Sequence, residues 1–277
     1  MKNLIRRAGV NKLTPGWKPP AKRARAAVNQ VIRFGVVGDS HVGYGNSLAV
    51  LKSILPSVVS NGNKRFVIFG GDNAHAGANH GNFAAQRYSD FKQAADSILG
   101  PRSIPYKASI GNWETTTRPL FRQYLGRVTG EMNFPGTRGR VRYVWLDNAS
   151  GSFSQESLRL LKGLDHQHDY IIDFHWPLRV QGITVPSSHV LSQAETDKFF
   201  NAIPASVRSH VLAIFTHHAH KFYQKTSNIY IGFPKTKFYV CGCSGAYKCT
   251  ASGRGYYDAT LTFSNNRYSV RARAVNR

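Results

Sequence analysis

Residues 65–75 read Arg65-Phe66-Val67-Ile68-Phe69-Gly70-Gly71-Asp72-Asn73-Ala74-His75. The run from Phe66 to Phe69 is apolar, aromatic and β-branched, the composition of a strand buried on both faces. Gly70-Gly71 ends it, because a backbone without Cβ can turn sharply or approach a ligand closely. Asp72 is then a carboxylate delivered at the carboxyl end of a buried strand, the place where open α/β sheets bind ligands. A single Gly-Asp also makes an ordinary turn, so the weight of Asp72 depends on how the other strands end.

Outward from this stretch the chain alternates strands and helices. Ile32 to Val37 reads as a strand followed by Gly38-Asp39-Ser40-His41, and 47–59 as a helix with Asn46 as N-cap and Pro56 limiting its far end. A second helix runs from about Phe83 to Leu99 and stops at Gly100-Pro101. Tyr106 to Ile110 is a strand ending in Gly111-Asn112-Trp113-Glu114. Val141 to Leu146 is another, followed by Asp147, and Ser154 to Leu164 has leucines at helical spacing. Tyr170 to Phe174 ends in His175-Trp176-Pro177, and Ser192 with Glu195 forms a capping box for a helix reaching about Ala202. Val211 to Phe215 ends in Thr216-His217-His218-Ala219-His220. Strands alone follow, at 238–241, 256–263 and 268–274, with Asn265-Asn266 suited to a hairpin. This order predicts a layered α/β sandwich of two mixed β-sheets, one of them mostly antiparallel, flanked by helices. No internal repeat or linker divides residues 31–277, which are expected to form one domain.

Composition narrows the partners. The chain has 277 residues, enough for a substantial core, and 37 Lys and Arg against 14 acids give a formal charge of +23. Such a surface favours polyanions: nucleic acid, anionic membrane or phosphorylated substrates. Residues 1–30 hold eight basic residues and no acid, interrupted by Pro15, Pro19 and Pro20. They read as a flexible arm that either touches nucleic acid or is simply solvated. No stretch approaches the roughly 18 apolar residues of a membrane span, and the start lacks the apolar core of a secretory signal. With sparse cysteines, this points to the cytoplasm. Cys241, Cys243 and Cys249 match neither a disulfide scaffold nor a usual zinc spacing, and read as small buried residues beside a strand end.

Five strands therefore end in residues of metal-ligand type: Asp39 and His41, Asp72, Asn112, His175, then His218 and His220. Each alone has an ordinary explanation in turns or packing. Together, in loops at one sheet edge, they are hard to explain as turn chemistry. The Asp-Ser-His and His-Ala-His spacings let two side chains of one short loop reach a shared point. Mixed oxygen and nitrogen donors suit manganese, iron or zinc rather than calcium.

At these residues the sequence resembles the calcineurin-like metallophosphoesterase superfamily, over about residues 31–265. The five blocks of that family appear as GDSH at 38–41, GGD at 70–72, GNWE at 111–114, FHWP at 174–177 and THHAH at 216–220. The resemblance implies two divalent metal ions. Asp39, His41, Asp72 and His220 would hold one, and Asp72, Asn112, His175 and His218 the other, with Asp72 bridging. It also implies hydrolysis of phosphate esters by a hydroxide between the metals, with Glu114 behind the ligands. Asp147 is expected to be structural.

Three positions depart from the family pattern. Trp113 stands where relatives usually carry a phosphate-contacting His that protonates the leaving group, which indole cannot do near neutral pH. His75, three residues after Asp72, is a ligand, a substitute acid or a packed residue. His217 replaces the usual Gly and either faces substrate or is a partly buried spare. The site expected from sequence thus adds His75 as a catalytic candidate and Trp113 and His217 as substrate-binding candidates. The loss of the His favours a phosphodiesterase, with nucleic acid the leading substrate class given the charge. A phosphomonoesterase or protein phosphatase of the same family is the alternative, and a weakly active polyanion-binding protein that keeps the fold is another. Tyr143, Trp145, Trp176, Tyr223, Tyr256 and Tyr257 offer faces for base stacking, although their positions in or beside strands favour core packing.

Overall fold

The computed structural model describes residues 30–77 and 81–277, so the basic arm expected over residues 1–30 lies outside the described residues apart from Gln30. In chain order the elements are β1 (Gln30–Val37), α1 (Ser47–Ser60), β2 (Lys64–Gly70), α2 (Gly81–Leu99), β3 (Tyr106–Ser109), α3 (Arg118–Leu125), β4 (Gly130–Asn133) and β5 (Val141–Trp145). They continue with α4 (Gln155–Lys162), β6 (Asp169–Asp173), α5 (Gln193–Ala202), β7 (Val211–Thr216), β8 (Tyr223–Lys225), β9 (Lys237–Val240), β10 (Gly255–Ser264) and β11 (Arg267–Asn276).

Two sheets stack face to face. The first has the order β11-β10-β1-β2-β3 and the second β4-β5-β6-β7-β9-β8. Both are mixed. In the first, β1, β2 and β3 run parallel and β10 and β11 antiparallel. In the second, β5, β6, β7 and β9 run parallel, with β4 and β8 antiparallel at the edges. Neither is mostly antiparallel, because β9 returns to the second sheet beside β7 while β10 and β11 join β1 in the first.

The period-two pattern of β2 decides the layering. Phe66 and Ile68 point inward to meet Phe34, Tyr143, Ile171, Phe215 and Tyr257 between the sheets. Val67 and Phe69 point outward against helical residues such as Val58, Tyr88 and Phe91. All four are fully buried, as expected for a strand covered on both faces. On the far side α4 and α5 cover the second sheet, with Leu161, Phe199 and Phe200 over Ile172 and Ile214.

Local signals mostly act as read. Ser192 Oγ accepts the Glu195 N–H at 3.2 Å and caps α5, although the Glu195 carboxylate completes no capping box and instead accepts the Phe153 N–H at 3.2 Å; Asn265 and Asn266 both take positive φ in the β10–β11 turn. Two differ. Asn46 makes no side-chain cap, and α1 runs past Pro56 to Ser60 because Leu55, Val58 and Val59 are buried against the core. Tertiary packing there outweighs the hydrogen bond that proline removes. The cysteines also differ: Cys243 and Cys249 form a disulfide, while Cys241 is a buried free thiol. Among the described residues no helix is long and apolar enough to cross a membrane.

Candidate metal centre

The ligand-type residues meet at one end of the sandwich, at a seam rather than along one sheet. Asp39 and His41 follow β1, Asp72 follows β2 and Asn112 follows β3, all in the first sheet; His175 follows β6 and His218 and His220 follow β7, in the second. The loops after β1 and β2 are stitched together: His41 N–H donates to Asp72 O at 2.8 Å and His75 N–H to Val42 O at 2.9 Å. Gly70 and Gly71 earn their place by closeness. A Cβ on Gly70 would lie 1.8 Å from His217 Nε2, and one on Gly71 2.6 Å from His175 Nδ1, where φ is also +91°.

Two groups of donors converge. Asp39, His41 and His220 form one, and Asp72, His175 and His218 the other, each with ligand atoms within 4.8 Å of one another. Asn112 joins the second group, its Oδ1 lying 2.8 Å from both His175 Nε2 and His218 Nδ1. Asp72 Oδ2 lies 3.3 Å from His175 Nε2 and 3.7 Å from His41 Nε2, so one oxygen faces both groups.

This donor set fits cations. His41 Nε2 and His220 Nε2 face each other at 3.4 Å, and His175 Nε2 and His218 Nδ1 at 3.2 Å. Such pairs of ring nitrogens aim lone pairs at a common point when the rings are neutral. His175 donates its other nitrogen, Nδ1, to Gly70 O at 3.0 Å, the outer bond that orients a metal-ligating imidazole. Asp39, His41, Asp72, His218 and His220 all have positive φ, between 46° and 64°. Non-glycine residues rarely adopt that region, and such strain clusters at functional sites.

Without an ion, the charges of the site balance one another. Burial holds His41 down at about 4, and burial with the neighbouring His175 holds His218 at about 3, so both are neutral at pH 7. Burial would lower His175 too, but the Asp72 and Asp39 carboxylates raise it to about 9. Burial opposes ionisation of Asp72, yet His175 and His41 hold it far below the ordinary carboxylate range. Asp39 is likewise lowered against its burial, chiefly by His220.

Glu114 lies behind the ligands. Its carboxylate accepts N–H bonds from Gly111 at 2.8 Å and from Asn73 and Ala74 at 3.1 Å, tying the loop after β3 to the loop after β2. Burial and the Asp72 charge raise its carboxyl to about 8 against these donors. Trp113 donates its backbone N–H to Asp72 Oδ1 at 2.8 Å. Its indole packs on His75 with centroids 4.1 Å apart, and Tyr247 sits 5.3 Å from the indole and 4.9 Å from the His41 ring. His75 is 5% exposed and enclosed by Tyr44, Trp113 and Tyr247, with Arg87 bonded to its carbonyl. The rings around His75 are those expected of a packed residue or of one held behind the donors.

His217 does not face the cleft. It is fully buried beneath the donors, where Nε2 meets Asp173 Oδ1 at 2.9 Å and Ser109 also donates to that carboxylate. The expected substrate contact is corrected: a His at this position fills the space left by the Cβ-less Gly38 and Gly70. Asp147 pairs with Arg118, a structural role as expected. Of the stacking candidates, Tyr143, Trp145, Tyr256 and Tyr257 are buried. Trp176 stacks on His218 at 3.6 Å.

Sequence reasoning missed Tyr247 and His189, whose ring lies 5.2 Å from His218. Both sit in long loops without a local signal. It also missed Asn148, whose Oδ1 accepts the His175 and Trp176 N–H groups at 3.1 and 3.0 Å.

The sequence profile of the calcineurin-like phosphoesterases matches residues 32–242, most of the chain and every candidate ligand position. The chain belongs to the calcineurin-like phosphoesterase family. Among solved structures, this phosphoesterase resembles a dimetal phosphatase from Danio rerio at 15% identity, with a TM-score of 0.61 over 88% of this chain and 96% of that one. It also resembles GAP50, the anchor in the inner membrane complex of Plasmodium, at 11% identity, with a TM-score of 0.58 over 89% and 84% of the two chains. At these identities the likeness is one of fold. No curated protein sequence matches.

Proposed function

We propose that this phosphoesterase uses two divalent ions, held as the sequence resemblance implies, to hydrolyse phosphodiesters, nucleic acid foremost. One observation carries the proposal: two donor groups of mixed oxygen and nitrogen atoms face each other across Asp72, with the Trp113 ring 6.1 Å from that of His41, at the position where the sequence resemblance implies a proton-donating His. Manganese, iron or zinc suits this donor set. Bound there, the ions would activate water and neutralise charge on the phosphoryl oxygens.

The chain's own groups do the rest. Asp72 supplies one oxygen toward both donor groups, and Asn112 Oδ1 sits between His175 and His218. Glu114 holds the loops that carry Asp72 and Asn112 in register. Trp113 and Tyr247 wall the His41 side, where the Trp113 indole transfers no proton near neutral pH, and Trp176 walls the His218 side. A leaving group that needs little protonation suits such walls, so the sugar alkoxide of a nucleic acid would depend on bound ions to meet its charge.

With manganese added, purified protein is expected to hydrolyse bis(p-nitrophenyl) phosphate faster than p-nitrophenyl phosphate. The reverse order supports the phosphomonoesterase alternative. Protein that holds two metals yet turns over neither substrate supports a polyanion-binding protein that retains the fold, a reading favoured by the closed packing of Trp113 on His75. The Cys243–Cys249 disulfide favours an oxidising compartment and weighs against the cytoplasm proposed from cysteine sparsity.

A further inference from the structure

The second concentration of chemistry lies at the pole opposite the metal centre. There β6, β7 and β9 begin, β10 turns into β11, and β1 starts with Gln30 paired to Phe263. A recess of about 800 Å³ opens between the β10–β11 turn and the starts of β7 and β9. Lys235, Lys237, Arg267 and His210 line it, with Tyr268 and Leu212 among its walls. Asp169 is the acid in that lining, and His210 Nδ1 holds it at 3.0 Å. Arg138 and Arg140 are exposed and act electrostatically on Tyr268, and Arg271 does so on the half-buried Lys237. Three Lys or Arg side chains therefore line the recess, one of them (Lys237) donating to Val270 O, and three more lie within electrostatic reach of its lining, which contains a single, already engaged carboxylate. Residues 1–29, with eight further basic residues and no acid, precede the first strand, which starts at this same pole.

We infer that this recess and its rim bind the phosphate backbone of a single-stranded nucleic acid, at a site separate from the metal centre. The observations favour a strand over a membrane, because the cations line a concavity that a flexible phosphate chain can enter and a flat headgroup layer cannot. Strand β7 runs from this recess to the metal centre through six residues, roughly 20 Å at ~3.3 Å each. A phosphate held here is thus out of reach of the metal ligands, and only a polymer can occupy both places. The inference deepens the nucleic-acid reading above and rests on it for biological sense, but binding at the pole is measurable without turnover.

The test uses the full chain with chelator present, and a fluorescein-labelled 20-nucleotide polythymidine as probe. Lys235 and Arg267 are exposed, so K235E/R267E should fold normally. The double variant is expected to bind at least tenfold more weakly at about 0.1 M salt. Its salt slope should fall by roughly 0.7 for each phosphate that is no longer neutralised. With manganese in place of the chelator, hydrolysis of bis(p-nitrophenyl) phosphate should be unchanged. Affinity within twofold of wild type overturns the inference. So does a larger loss from Lys248→Glu, which lies beside the metal centre, or loss of phosphatidylserine-vesicle binding with oligonucleotide binding intact. Absent diester hydrolysis in the wild type would instead defeat the catalytic reading and leave the pole result standing.

Discussion

Asp72 Oδ2 lies 3.3 Å from His175 Nε2, and the two are fully buried partners that charge one another. The pair raises the His175 pKa to about 9, above the ordinary histidine value of 6.5. Its contribution to the stability of the metal-free protein is therefore complete below about pH 6.5 and is lost as pH rises toward 9. A divalent ion needs the neutral ring, so it must displace this proton. Metal affinity is expected to rise with pH between 6 and 9. Calorimetric titration in buffers of different ionisation enthalpy should detect close to one proton released at this donor group near pH 7. Affinity independent of pH would mean that His175 is not a ligand.

Asp72→Asn keeps the shape of the side chain and removes the charge that both donor groups face. Both ions should be lost or weakened together, by more than the roughly 10–100-fold typical of outer partners. Elemental analysis after dialysis, alongside circular dichroism to confirm folding, checks this. Loss of one ion alone would place the bridge elsewhere.

Glu114→Ala would strand three backbone N–H groups, of Gly111, Asn73 and Ala74, in the interior. Each costs about 1–3 kcal/mol when unsatisfied. Glu114→Gln keeps one acceptor oxygen and should lose less stability. Urea denaturation should rank wild type, Gln and Ala in that order, and metal affinity should follow the same order.

Gly70→Ala would press a Cβ against the His217 ring. The backbone there is fixed by the sheet and His217 by Asp173, so neither can yield easily. Overpacking of this kind costs about 1–3 kcal/mol or more. A drop in the urea midpoint is expected, and an unchanged midpoint would show that His217 can leave its seat.

Removing residues 1–29 leaves Gln30 and β1 intact. Oligonucleotide binding should weaken and its salt slope should shallow, while turnover of a small diester stays the same. Equal binding with and without the segment would reduce it to a spectator.

Most of the candidate ligands were legible because they follow short, largely apolar runs that read as buried strands, and a strand end fixes where its next residue goes; β3 before Asn112, with Lys107 and Ser109, is the weakest of these signals. Which sheet each strand joins was not legible, since parallel neighbours such as β7 and β9 are separated by a long excursion. Short edge strands β4 and β8 carry too few residues to show a period. His217 was misplaced for a related reason. In sequence it is one of three histidines at a strand end, and only contact with Asp173, 44 residues earlier, pulls it under the site rather than into it. Tyr247 reaches His41 from a loop whose position depends on bonds such as Ser244 N–H to Gly38 O at 2.8 Å.

The donors come from both halves of the sandwich: Asp39, His41, Asp72 and Asn112 from one sheet, His175, His218 and His220 from the other. Any ion held between them is a rivet through two plates. Slippage of one sheet over the other, by even a fraction of a side chain's width, pulls donors apart and opens the centre. Heat, pressure or a substitution deep between the sheets would therefore silence the chemistry before unfolding the chain, and loading metal would stiffen the whole body rather than its rim alone.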